Sequence, residues 1–392
     1  MVHTILKNRH QPDMPSIPVS FPIKNYTKIY ESLHSIGIGS ATIPDCFITE
    51  LSGDYPILKR LTETEVNVDE LDYLVKRLES FNKYEVAQFQ GTAVSQDFFN
   101  MEDFINLTFY CKHVTVVQDF TDLTAVGRTH YMNLHGGMNE DDLKIVDFQK
   151  TALSLLLNEE GTITPYGVVY GNGMRMELYY NGLYFPDYRH SDDALLTVAV
   201  TDKNLPEDTR DIVWLYLPVE DCQIERALMR TGIQEEEVRL CYTDSQLPDV
   251  LVDILGSEEN LYELNKLCCS IQELDSGYRE KLEAALQMSK PSFLTQAQNL
   301  IKWLNLFDFI PGVSNPEEYG RYMIMESGYF EYDSELDQYY EFKKYGEHRI
   351  ENEYGQFIAN GYVSYQGFIS IDEVMAGSES ERMENMMGGM EL

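Results

Sequence analysis

Asn67-Val-Asp-Glu-Leu-Asp-Tyr-Leu74 and Asn260-Leu-Tyr-Glu-Leu-Asn-Lys-Leu267 are two versions of one stretch, 193 residues apart in a chain of 392. The same offset pairs Gly127-Arg128 with Gly320-Arg321 without a gap. Upstream and downstream the offset drifts by only a few residues across about 140 positions. A repeat of this length predicts a duplicated structural module.

Each version of the stretch predicts a helix. Asn67 and Asn260 stand at the N-cap, and Glu70 and Glu263 follow three residues later, which is the capping-box spacing. Apolar residues at helical spacing predict one buried stripe on each helix: Leu71, Leu74, Val75 and Leu78 in the first, and Leu264, Leu267, Cys268 and Ile271 in the second. Acidic residues are expected on the opposite, solvated faces: Asp69, Asp72 and Glu79 in the first, and Glu258, Glu259 and Glu273 in the second.

The segments around these helices predict small sheets. An extended segment, a short helix that ends at Gly37 or Gly232, and a short strand precede each helical part. Residues 195–200 and 212–217 are expected to pair as a hairpin that the first half lacks, and 166–180 as a hairpin with a turn at Asn172-Gly173. The predicted fold is α+β and elongated, with two tandem related modules, each with small antiparallel sheets and a small helical bundle.

The predicted domains follow from these segments. They are an N-terminal lead (1–20), a first, divergent module (21–170), a β-rich connector (171–194), a second module (195–370) and an acidic, Met-rich, flexible tail (371–392).

The formal net charge of −35 limits the function classes that fit the chain. It comes from 65 acidic and 30 basic residues. Such a surface repels nucleic acid and anionic membranes and attracts proteins that bind polyanions. At about one charge per ~1.7 Å, duplex DNA presents the same charge over roughly 60 Å, or on the order of 18 base pairs. The alternative is that acidity only keeps the protein soluble. Residues 1–200 carry a net charge of −12 and residues 201–392 one of −23.

The sequence offers little catalytic chemistry. It contains no metal-binding His/Cys spacing, no P-loop and no nucleophile elbow, so we expect no enzyme activity, no metal and no cofactor. The six cysteines form no CxxC pair, and neither an 18-residue apolar run nor a signal peptide is present, which favours a reduced, cytoplasmic protein. Arg128 and Arg321 are expected to be structural ion-pair partners, with direct binding as the alternative.

Several stretches of the second half resemble ArdA-type antirestriction proteins. They are Phe309-Ile-Pro-Gly312, Glu317–Tyr322, Met325–Gly328 and Leu336–Gly346. Val198–Asp202, Val213–Pro218 and Leu240–Asp244 with Leu247-Pro248 resemble the family's opening hairpin and the strand that follows. The resemblance covers about 195–366 and keeps the family's order of segments.

The resemblance implies a non-enzymatic DNA mimic carried on mobile elements, without cofactor, that occupies the DNA site of type I restriction–modification enzymes. Its partners would be the specificity and modification subunits, and family members form elongated dimers, so a homodimer is also expected. No direct nucleic-acid binding and no membrane binding are implied. The candidate phosphate-mimicking residues are Asp244, Asp249, Asp253, Glu258, Glu259, Glu263, Glu273, Asp275, Glu280, Glu283, Glu317, Glu318 and Glu326.

The first module departs from the family. It is less acidic, its opening hairpin looks eroded, and it lacks a counterpart of Pro311-Gly312 near Asp119. It could serve as an internal partner of the second module or contact a different target. Two other functions stay open: mimicry directed at another nucleic-acid-binding defence protein, such as a CRISPR effector, and an acidic interaction module without mimicry.

Overall fold

The computed structural model describes residues 1–173, 175–188, 194–206 and 211–377. It is an α+β protein with four small antiparallel sheets, as the sequence predicts. By Cα proximity the chain divides into a first unit, which comprises Met1–Asp192, Val200–Trp214 and Glu220–Val238, and a second unit, which comprises Asp193–Ala199, Leu215–Val219 and Arg239–Leu392. The domain limits expected from the sequence stay a prediction.

The first half of the chain begins with a sheet of order β2-β1-β3-β4, followed by three helices. The elements are β1 (Val2–Asn8), β2 (Ile17–Phe21), α1 (Tyr26–Ser35), β3 (Cys46–Gly53), β4 (Glu65–Val66), α2 (Val68–Glu79), α3 (Lys83–Ser95) and α4 (Met101–Tyr110). A second sheet of order β5-β7-β6 then forms from β5 (Thr115–Val117), β6 (Thr162–Thr164) and β7 (Gly167–Tyr170). It is accompanied by α5 (Leu123–His135), α6 (Asp142–Ile145) and α7 (Phe148–Asn158).

The second half runs through a similar order of elements. Its first sheet has the order β10-β8-β9. In chain order, this part contains β8 (Leu196–Asp202), β9 (Val213–Leu217), α8 (Asp221–Thr231), β10 (Val238–Ser245) and α9 (Asp249–Val252). Three longer helices follow: α10 (Leu261–Gln272), α11 (Ser276–Ser289) and α12 (Leu294–Lys302). Its last sheet has the order β11-β13-β12 and consists of β11 (Phe307–Pro311), β12 (Tyr354–Ile358) and β13 (Gly361–Tyr365). The helices α13 (Pro316–Met325) and α14 (Phe342–Asn352) lie between β11 and β12 in sequence, and α15 (Ile371–Ala376) follows β13. The two halves therefore share much of their order of elements, and duplication of the module stays a prediction from the sequence.

The helices α2 and α10 form as the sequence predicts. The side chains of Asn67 and Asn260 accept hydrogen bonds from the backbone N–H groups of the first helical turn, so both N-caps are confirmed. All eight residues of the two predicted apolar stripes are buried. In each half, a side chain of this helix accepts a hydrogen bond from the backbone of the segment that follows the opening strands. The Ile23 N–H donates to Asp72 Oδ1 (2.7 Å), and the Val219 N–H donates to Asn265 Oδ1 (2.9 Å).

Glycine permits a close helix crossing in each half. A Cβ on Gly127 of α5 would overlap the Phe148 carbonyl oxygen of α7, and a Cβ on Gly320 of α13 would overlap the Phe342 carbonyl oxygen of α14. Because glycine has no side chain, the two helix backbones can touch at these points. The residue after each glycine lies over a ring of the partner helix: Arg128 over Phe148 and Arg321 over Phe342. Arg321 also pairs with Asp337 (3.8 Å), as expected for an ion-pair partner.

Two predictions about the strands were wrong, and the tail predicted at 371–392 is described only in part. The first half does have an opening hairpin: β1 pairs with β2, so most of 1–20 belongs to a sheet. Every second residue of β1 is buried, which explains why this strand forms. The tail begins as helix α15, capped by Ser370, and the predicted tail from 378 onward lies outside the described residues.

The predicted hairpin over 166–180 was also wrong. β7 pairs with β5 and β6 instead, and the described residues 175–188 of the connector contain no strand. Asn172 and Gly173 do adopt positive φ, as a turn requires. The reason lies in Asn106 of α4, whose side-chain oxygen accepts hydrogen bonds from the backbone N–H groups of Tyr179 and Tyr180 and so holds this segment against the helices.

A single methyl group should disrupt the α13–α14 crossing. We expect Gly320→Ala to lower the free energy of unfolding by about 1–3 kcal/mol, because the new Cβ forces two backbones apart. Gly277→Ala is the matched control, since its Cβ would meet Asp275 at an ordinary 3.5 Å. Urea unfolding followed by tryptophan fluorescence measures both variants, and equal midpoints would contradict the close crossing.

Candidate interaction surface

The thirteen carboxylates expected at the binding surface all belong to the second unit, and none of them is buried. Ten are exposed, and Glu259, Glu263 and Glu283 are half-buried. They follow the elements in order: Asp244 on β10, Asp249 and Asp253 on and after α9, Glu258 and Glu259 before α10, Glu263 and Glu273 on α10 and at its end, Asp275, Glu280 and Glu283 at the start of α11 and on it, and Glu317, Glu318 and Glu326 on α13 and at its end.

Some of these carboxylates also stabilise the local structure. Asp275 caps α11 by accepting a hydrogen bond from the Tyr278 N–H (2.9 Å). Glu318 accepts hydrogen bonds from the N–H and the hydroxyl of Ser314, both at 2.8 Å. These bonds favour the ionised carboxylate, the backbone bond most, and lower the pKa of Glu318. Each carboxylate has several lone pairs, so an exposed carboxylate can serve its own helix and still face a partner.

The second unit has a strong excess of negative charge. Its continuous segment 239–377 carries 24 acidic and 10 basic side chains, a net charge of −14. Charge of one sign on this scale attracts a basic partner at long range and is screened by salt.

Two of the thirteen carboxylates meet at a cleft of about 270 Å³. Glu280 and Glu283 of α11 line one side of it, beside Ala284. Phe309 and Pro311 of β11 complete the lining together with Ile358 and Asn360 from β12 and the turn that follows it. The cleft therefore combines carboxylates with an apolar floor.

The first unit directs its corresponding acidic residues inward. Arg226 of α8 forms a two-point ion pair with Asp69 of α2, with Nε–Oδ1 and Nη2–Oδ2 distances of 2.9 and 2.7 Å. Its guanidinium lies 3.7 Å from the centre of the Tyr30 ring. Asp72 is buried as well and pairs with Lys76 (3.0 Å). The prediction of solvated positions for Asp69 and Asp72 was therefore wrong.

Arg230, one helical turn after Arg226, is 4% exposed and fully hydrogen-bonded. Its guanidinium donates to the Glu70 carboxylate (3.1 Å) and to the Tyr180 hydroxyl. It also donates to the backbone carbonyl oxygens of Ala41, Gly182 and Leu183 at 2.6 to 2.8 Å.

Glu70 consequently does not complete a capping box, because its side chain turns to Arg230 and Tyr180 instead. Burial raises the pKa of the Glu70 carboxyl, and the bonds from Tyr180 and Arg230 oppose that shift.

Sequence reasoning missed this arginine pair. The available signal was the spacing: Arg226 and Arg230 are four residues apart on α8, and each follows an apolar stripe residue, Ile224 or Leu228, by two positions. Their partners are about 160 residues away in sequence, and helical periodicity does not predict contacts over such a distance.

Three further features of the described residues concern metals, thiols and membranes. Within 1–173, 175–188, 194–206 and 211–377 no group of three or more His, Cys, Asp or Glu side chains could hold a metal ion. The six cysteines have free thiols. No helix in this described part is long and apolar enough to cross a membrane.

The second unit presents exposed carboxylates on small α+β elements, as expected of an acidic protein whose surface complements basic groups. Residues 212–364 match the family model described as "Antirestriction protein (ArdA)", so this part of the chain is ArdA-type. The matched region holds all thirteen candidate carboxylates. ArdA-type proteins are non-enzymatic and act on restriction enzymes. No curated protein matches the chain.

Removal of the Arg230 guanidinium should destabilise the first unit. We expect Arg230→Met to cost about 3–5 kcal/mol, because it leaves the buried Glu70 carboxylate without its cation and several carbonyl oxygens without their donor. Glu70→Gln added to Arg230→Met should recover part of this loss, since the uncompensated charge is gone. The exposed Arg175 provides the control Arg175→Met, for which a change below about 0.5 kcal/mol is expected. Equal shifts of the thermal unfolding midpoint in Arg230→Met and Arg175→Met would contradict this role of Arg230.

Proposed function

We propose that the protein is a DNA-mimic antirestriction protein that occupies the DNA-binding site of type I restriction–modification enzymes. The supporting observation is that all thirteen candidate carboxylates lie outside the core in the ArdA-type region. In this account they take the place of DNA phosphates against the Lys and Arg side chains of the specificity and modification subunits. The protein works in the cytoplasm, protects DNA that arrives on a mobile element, and is not an enzyme.

Binding in this account comes from many modest contributions. An exposed ion pair contributes about 0.2–1 kcal/mol, so no single carboxylate dominates the surface. Summed over many pairs, the attraction accelerates encounter and weakens as salt rises. Three of the four acidic residues of α2 do not take part, because Asp69, Glu70 and Asp72 are already paired with cations inside the first unit. A homodimer would present two such surfaces.

The proposal is tested by inhibition of a purified type I enzyme. The protein is titrated against restriction at two salt concentrations and at several concentrations of competing duplex DNA. We expect inhibition that DNA relieves competitively and that weakens at the higher salt concentration. Absence of both inhibition and binding would contradict the proposal.

A pair of charge-matched variants locates the surface. Neutralisation of Asp244, Asp249, Asp253 and Glu258 to Asn or Gln should weaken inhibition on the order of tenfold, since four exposed pairs are lost. The control removes four exposed charges from the first unit, at Asp13, Glu31, Glu102 and Glu140, with the same change in net charge. We expect a smaller effect of the control, and equal effects would show that only net charge matters.

A further inference from the structure

The cleft beside α11 brings carboxylates together with an apolar floor. Glu280 and Glu283 are one helical turn apart on α11, so both project from the same face of the helix. The half-buried side chains of Phe309 and Ile358 face the same cleft. A phosphate-like charge pattern requires only the carboxylates, so the apolar floor calls for a separate explanation.

We propose that this cleft receives an arginine side chain of the target protein. The inference rests on the proposed function and refines it, because it assigns one anchoring point within a distributed surface. The methylene groups of an arginine pack on apolar surface while its charged end reaches polar partners. Its planar guanidinium also stacks on aromatic faces and binds carboxylates with two parallel hydrogen bonds. The cleft offers both partners: the Phe309 ring and the Glu280–Glu283 pair.

The carboxylates are available for this role. Glu280 is exposed, and Glu283 is half-buried and accepts one hydrogen bond, from Gln287 at 3.3 Å, through Oε1. The volume of about 270 Å³ is sufficient for one long side chain. An arginine seated in the cleft would cover the two carboxylates and displace water from them, and anchors that exclude water in this way dominate many protein interfaces.

Charge-matched variants separate an anchor from general attraction. We expect Glu280→Gln with Glu283→Gln to weaken binding to the type I enzyme on the order of a hundredfold, as for loss of a desolvated charge pair. Glu258→Gln with Glu273→Gln removes the same charge elsewhere in the second unit and should change binding less than about threefold. Equal losses from the two double variants would overturn the anchor.

A steric variant tests the cleft without a change of charge. Asn360 is exposed at the cleft, so Asn360→Trp should block entry and weaken binding roughly tenfold with an unchanged salt dependence. Ala359→Trp is the control, since Ala359 is the exposed neighbour in the same turn and does not line the cleft. Full binding by Asn360→Trp would overturn the proposal.

A small probe keeps the cleft testable even if the enzyme is not the target. Tri-arginine peptide is titrated into the full chain and followed by methyl NMR, with tri-lysine for comparison. We expect shifts concentrated at the Ile358 and Ala284 methyl groups, larger with tri-arginine, and abolished by Glu280→Gln with Glu283→Gln. Shifts spread evenly over the acidic surface would overturn the cleft, whereas failure of the enzyme to bind overturns only the proposed function.

Discussion

The ion pairs between α8 and α2 determine which acidic residues of this chain reach the solvent. Two arginines one turn apart enter the first unit and meet Asp69 and Glu70, and backbone carbonyl oxygens satisfy the remaining donors. A buried guanidinium is tolerated only when its donors are satisfied in this way. Part of the negative charge of the first unit is therefore neutralised by ion pairs inside that unit. In the second unit, positions 262 and 265, which correspond to Asp69 and Asp72, hold Tyr and Asn, and the carboxylates are placed on the outside.

Local rules predicted much of the fold. The N-caps at Asn67 and Asn260, the apolar stripes and the pairing of β8 with β9 follow from spacing along a few residues, and all are confirmed. The repeat stays a prediction from the sequence; the opening sheets of the two halves have the corresponding orders β2-β1-β3 and β9-β8-β10. The burial of Asp72 could not be predicted from local spacing, because its hydrogen-bond partner Tyr26 lies 46 residues away. The helical pattern alone predicts a solvent-exposed position for Asp72.

The candidate surface was predictable in composition and less so in detail. The placement of thirteen carboxylates outside the core follows from helix amphipathicity, since none of them occupies an apolar stripe. The cleft that joins Glu280 and Glu283 to Phe309 requires α11 to pack against the sheet formed by β11, β13 and β12, and no local pattern encodes that contact. An acidic scaffold with one apolar-floored cleft combines long-range attraction with a short-range anchor.

Carboxyl footprinting tests the central claim most directly. Carbodiimide labels exposed Asp and Glu side chains, so the free chain and its complex with a type I restriction–modification enzyme can be compared residue by residue. The account predicts strong labelling of the second-unit carboxylates in the free chain, protection of them in the complex, and return of labelling when duplex DNA displaces the protein. Glu70 and Asp72 should stay unlabelled throughout because they are buried, and Asp69 should label weakly because it is half-buried and paired with Arg226. Protection confined to the first unit, or labelling that is unchanged by the enzyme, would contradict DNA mimicry by this surface.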